Sequence, residues 1–110
     1  MRKSFTAVIE RNKAAVADFA TEPYEAGWAS EARWFVRVME MSKETVLTLI
    51  PQISPDGLFW CDEGSAPLQI SAAGLHSFAL RDFGQWLRLQ ATVRGDSPSA
   101  KFMIYLALKE

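Results

Sequence analysis

The chain has 110 residues, of which 49% are hydrophobic and 23% charged, enough for one apolar core and too apolar for a disordered tail. A formal net charge of −1 leaves no basic footprint of the kind that nucleic-acid-binding proteins carry. The single cysteine, Cys61, excludes an intramolecular disulfide framework.

The N-terminus, Met1-Arg2-Lys3-Ser4, is basic as a signal peptide can be, but the stretch from Phe5 breaks into charge at Glu10 and Arg11. That is too soon for a hydrophobic signal core, and no later run approaches the roughly 18 apolar residues of a membrane span. The reading is a soluble protein without a signal peptide, made in the cytoplasm, with neither a membrane nor a nucleic acid as partner.

Taken in chain order, 5–11 and 14–19 read as two short strands around Asn12-Lys13. Residues 13–20 have a helical alternative, because Ala-rich sequence favours a helix. Residues 20–31, with Pro23 and Gly27, read as a loop carrying Tyr24 and Trp28. From 34 to 41, aromatic and β-branched residues predict a strand, Ser42-Lys43-Glu44 a short polar turn, and 45–53 the strand that pairs back. Pro51 lacks an amide hydrogen and points to an edge or a bulge. Ser54-Pro55-Asp56-Gly57 is a strong turn signal, after which 58–61 returns as a short strand. Residues 68–70 and 75–80 add two more.

The clearest alternation is in 86–94. Leu87, Leu89, Ala91 and Val93 fall on one face, and Trp86, Arg88, Gln90, Thr92 and Arg94 on the other. Period two of this kind belongs to a half-buried strand. Residues 100–109 alternate likewise, with Phe102, Ile104, Leu106 and Leu108 opposite Met103 and Tyr105, and Gly95-Asp96-Ser97-Pro98-Ser99 links the two as a hairpin. The expectation is a single all-β domain over residues 1–110: an antiparallel two-sheet sandwich of jelly-roll type, with seven or eight strands and little helix. Its expected core includes Val36, Val38, Leu47, Leu49, Leu87, Leu89, Val93, Phe102, Ile104 and Leu106.

Chemistry is sparse. The one histidine, His76, neighbours Ser77 in a strand, which sends the two side chains to opposite faces. Cys61 has no evident activator and reads as a small buried hydrophobe. Asp56, Asp62 and Glu63 are close in sequence, but no regular ligand spacing supports calcium over a turn and a solvated loop. The glycines are isolated, without a phosphate-cradling loop. The reading is a protein that is not an enzyme, with no catalytic, cofactor-binding or metal residues.

The four tryptophans, Trp28, Trp34, Trp60 and Trp86, are the most informative feature. Trp86 is in phase with polar Arg88, and Met103 and Tyr105 occupy the same phase of the expected partner strand. Large apolar groups on a wet face mark an interface, so Trp86, Arg88, Met103 and Tyr105 are the candidate interface. Trp28 and Trp60 are candidate binding aromatics, and the alternative reading is a carbohydrate-binding module in which exposed tryptophan rings stack on sugars.

The segment from Thr48 to Trp60, with its strand, Ser54-Pro55-Asp56-Gly57 turn and tryptophan, resembles small β-sandwich structural proteins of phage and prophage modules. The Trp86–Leu89 and Gly95–Ala100 segments resemble the closing hairpin of the same group, so the match covers roughly residues 32–109. The resemblance implies a decoration or tail accessory role, with the chain associating with itself, often as a trimer, and docking on a capsid or other protein assembly. It implies virion association as the alternative to a cytoplasmic location, and no catalytic residue.

Overall fold

The period-two pattern becomes ten strands in a computed structural model of the protein, which describes residues 2–110. They are β1 (Ser4–Ala15), β2 (Phe19–Ala20), β3 (Tyr24–Glu25), β4 (Glu31–Met41), β5 (Val46–Ser54), β6 (Cys61–Asp62), β7 (Leu68–Ile70), β8 (Gly74–Arg81), β9 (Trp86–Arg94) and β10 (Ala100–Lys109). No described residue is helical. The first sheet runs β1-β10-β4-β8. The second runs β2-β9-β5-β6, with β3 also on β9 and β7 also on β5. Every pairing is antiparallel.

β2 and β3 share one edge of the second sheet, and β6 and β7 share the other. Counting each edge once gives eight strand positions, four per sheet. Apart from β5 and its neighbours β6 and β7, consecutive positions switch sheets, which is the jelly-roll arrangement. The expected seven or eight strands therefore correspond to positions, and the higher count comes from edges broken around Pro23 and Pro67. Proline has no amide to give to a ladder, which fits its place in the gaps of these two edges.

Both expected long hairpins are corrected. Residues 34–41 lie in the first sheet and 45–53 in the second; 86–94 lie in the second and 100–109 in the first. The links 42–45 and 95–99 are arches that carry the chain across the core. They are tied to each other: Ser42 N donates to the Ser99 carbonyl (2.9 Å), and Ser99 N reaches both Ser42 Oγ (3.0 Å) and Thr45 Oγ1 (3.2 Å). Gly95 is required there. Its φ is +138°, and a Cβ would stand 2.5 Å from the Glu44 carbonyl oxygen.

The N-terminal expectations change too. Residues 5–11 and 14–19 are not two strands. β1 runs continuously from Ser4 to Ala15, with register shifts after Val8 and after Glu10 and Asn12 at φ +51°. The helical alternative for 13–20 is not adopted, because β1 there pairs with β10 through Phe102, Lys101 and Ala100. The short strand after the Ser54 turn is only Cys61–Asp62.

All ten expected core residues are buried, none more than 4% exposed. Trp34, Ile70, Leu80, Phe83 and Leu108 join them, and Phe19 stacks on Phe102 with ring centroids 5.5 Å apart. Burial of each such aliphatic or aromatic side chain contributes about 1.5–3 kcal/mol. Pro51 sits inside β5, and its carbonyl accepts the Glu63 amide (2.9 Å). The nitrogen and carbonyl of one strand residue face the same way, so the missing donor falls between β7 and β6, where no ladder partner is needed.

Candidate functional site

The outer face of the second sheet is built on the wet phase of β9. Arg88 pairs across β5 with Gln52, which pairs with Asp62 on β6. The side chains follow the same line: Arg88 Nε donates to Gln52 Oε1 (2.8 Å), and Gln52 Nε2 to Asp62 Oδ1 (2.9 Å). The Arg88 guanidinium lies 4.4 Å from the Trp60 ring centroid, a cation–π contact that holds this tryptophan over the sheet.

The loop joining β5 to β6 is scaffolded by two short polar side chains. Ser54 Oγ accepts the Asp56 and Gly57 amides (3.2 and 2.8 Å). Asp56 Oδ1 accepts the Leu58 and Phe59 amides (2.9 and 3.1 Å) and the Ser54 hydroxyl (3.0 Å). The Leu58 and Phe59 amides hold the Asp56 carboxyl below its ordinary value. Gly57, at φ +80°, lies over Trp86, where a Cβ would stand 3.2 Å from the ring. The backbone is thus pinned on both sides, yet Leu58 and Phe59 remain 77% and 78% exposed.

The outer face of the first sheet is different. Val8, Tyr105, Phe35 and Ser77 form one cross-strand row over β1, β10, β4 and β8. Met103, Arg37 and Leu75 form the adjacent row, with Leu75 65% exposed. Next to the Phe35 row, Ala107, Arg33 and Ala79 are in register. Their two small side chains leave a depression of about 260 Å³ beside Phe35.

The expected interface is therefore divided. Trp86 and Arg88 belong to the second sheet, and Met103 and Tyr105 to the first, so they do not form one face. The cause is the arch at 95–99: in a hairpin the wet phases of both strands lie side by side, whereas an arch turns them to opposite sides of the sandwich. Trp60 and Trp86 do share a face. Trp28 is elsewhere, lining an open depression with Phe5, Arg2, Lys3 and Ser4. Cys61, expected inside, is exposed, because it sits on a two-residue edge strand. His76 is half-buried opposite Val36, while Ser77 faces outward and accepts the Arg33 guanidinium (3.0 Å). Of the three carboxylates weighed for calcium, Asp56 serves the loop, Asp62 bonds Gln52, and Glu63 bonds Ser65.

Sequence reasoning missed Phe35, Leu75, Leu58 and Phe59. Phe35 was visible in one respect, since it shares its phase with Arg33 and Arg37. Leu58 and Phe59 carried no such signal, because a strand and a projecting loop tip look alike over two residues.

A jelly-roll sandwich with apolar groups on its outer faces and a side-chain-scaffolded loop is the class this geometry defines. No family profile and no curated protein matches the chain in sequence. Among solved structures, the PBSX exported protein XepA matches with a TM-score of 0.69 and 14% identity over 94% of this chain, which spans 36% of XepA. The SPBc2 prophage-derived protein YomS matches with a TM-score of 0.57 and 6% identity over 100% of this chain and 96% of its own. A Bacillus endospore appendage protein, described as forming disulfide-linked pili, matches with a TM-score of 0.50 and 10% identity, over 98% of this chain and 84% of its own. At these identities the likeness establishes the fold, a β-sandwich shared with prophage-encoded proteins.

Proposed function

We propose that the chain acts as one non-catalytic sandwich domain, a structural or interaction protein that self-associates and docks on a larger, virion-like assembly. The observation that carries this reading is the outer face of the first sheet, where Val8, Phe35, Tyr105, Met103 and Leu75 gather. A solvated sheet face ordinarily alternates to polar residues, and a contiguous apolar patch marks a contact with another molecule. Fold likeness to a pilus-forming appendage protein supports an assembly role, and likeness to the prophage-derived YomS supports a virion-like setting. Sedimentation of the wild-type chain across a concentration series tests the self-association. The expected result is an average mass that rises above one chain, and a monodisperse monomer at the highest concentration would overturn it.

The carbohydrate-binding alternative rests on Trp60 beside Arg88, Gln52 and Asp62. Two aromatic rings open side by side would suit a sugar. Here Arg88 covers one face of Trp60 and Gly57 one face of Trp86, which counts against a two-ring platform. A glycan array followed by tryptophan fluorescence decides it, and saturable binding would put the sugar reading ahead.

A further inference from the structure

Two features sit at opposite surfaces and complement each other in shape and charge. One is the tip of the β5–β6 loop. Leu58 and Phe59 are more than three-quarters exposed, yet their amides are held by Asp56 and the turn before them by Ser54. A projecting apolar pair whose backbone is already ordered loses little entropy on docking, which is what an anchor residue requires. Three carboxylates, Asp56, Asp62 and Glu63, stand close to the tip in the chain, against one cation, Arg88, which is held over Trp60 and on Gln52. The other feature is the 260 Å³ depression on the first sheet, floored by Phe35, Ala79 and Ala107 and rimmed by Arg33, Arg81 and Lys109. One carboxylate also lines it, Glu31, and that group is already paired with Arg2 and Arg81. Among the described residues, no carboxylate lies within ion-pair distance of Arg33 or Lys109.

We propose that the Leu58–Phe59 tip of one copy seats in the Phe35–Ala79–Ala107 depression of a second copy. The proposal rests on the self-association reading above and names its surfaces. The tip supplies apolar groups with an acidic surround, and the depression supplies an apolar floor with a basic rim. Charge of opposite sign at the rim of such a contact steers approach and disfavours wrong partners. Direction follows from the sandwich. Gly57 lies over Trp86 on the outer side of the second sheet, while the depression opens on the outer side of the first. A copy that has inserted its tip keeps its own depression free, so the contact is head-to-tail and propagates into a ring or a filament. Two anchor side chains bury less than the roughly 800 Å² per partner of a standard interface, so assembly depends on concentration.

The test uses two variants of the full chain. Leu58→Ser/Phe59→Ser removes the tip, and Ala79→Glu fills the depression and reverses part of its charge. Both alter exposed positions, and circular dichroism with thermal melting checks that each remains folded. In sedimentation velocity, the wild-type mass rises with concentration and each variant alone stays at the mass of one chain. An equimolar mixture then gives a 1:1 dimer that grows no further, because the filled variant still offers a tip and the tipless variant still offers a depression. If either variant alone assembles like the wild type, the proposed contact is wrong while self-association stands. A mixture that stays monomeric also overturns the contact. A wild-type chain that is monomeric throughout overturns the self-association reading itself.

Discussion

Thr21 occupies the break between β2 and β3, where the edge of the second sheet has no regular ladder. Its amide donates to the Leu89 carbonyl (2.9 Å), and its Oγ1 accepts the Leu89 amide (2.9 Å). The hydroxyl stands in for the backbone carbonyl that an unbroken strand would have offered. Thr21 is 3% exposed and Leu89 not at all, so water does not replace the bond. Thr21→Val keeps the shape and removes the acceptor, a swap that is not conservative for that reason. It leaves a buried amide unpaired, at about 1–3 kcal/mol. For a domain near this size each 1 kcal/mol moves the melting midpoint by about 4–8 °C, so the fall is roughly 5–20 °C. Thr21→Ser keeps the acceptor and loses one methyl, about 0.8 kcal/mol, and should be the milder change. Urea denaturation gives the order of stability, and hydrogen exchange at the Leu89 amide reads the bond directly. A Thr21→Val variant that matches the wild type within about 0.5 kcal/mol, with the Leu89 amide equally protected, would refute this role of the Thr21 hydroxyl.

Leu89→Ala truncates a fully buried side chain and should destabilise the fold by about 2–5 kcal/mol, measured by denaturant titration. Gly95→Ala places a Cβ 2.5 Å from the Glu44 carbonyl oxygen at φ +138°. It should lose about 1–3 kcal/mol or more from strain at the arch, read as a lower melting midpoint. Asp56 binds the Leu58 and Phe59 amides as a carboxylate, and its folded pKa is lowered. Its contribution is full above the unfolded value near 3.9 and is lost as pH falls through the lowered folded value. Exchange at the Leu58 and Phe59 amides, corrected for intrinsic rates, should therefore accelerate only in acid, and Asp56→Ala should show the faster exchange at every pH.

The alternation in 86–94 and 100–109 was enough to assign strands and to say which side chains go inside. That property is local: successive side chains of an extended chain point to opposite faces whatever the partner, so Leu87, Leu89, Ile104 and Leu106 were legible as core. The turn at Ser54-Pro55-Asp56-Gly57 was legible for the same kind of reason, because short polar side chains bond their own backbone. Strand partners were not legible. A short polar link such as 42–44 or 95–99 serves a hairpin or an arch equally well. The choice is made by the two apolar faces, which lie side by side in one sheet in a hairpin and meet across the core in an arch. That outcome is a property of the whole sandwich, and it moved Met103 and Tyr105 away from Trp86 and set them beside Phe35. The exposure of Leu58 and Phe59 was likewise decided in three dimensions, where Ser54 and Asp56 hold the turn from within and Gly57 closes over Trp86, leaving the loop tip outside the core.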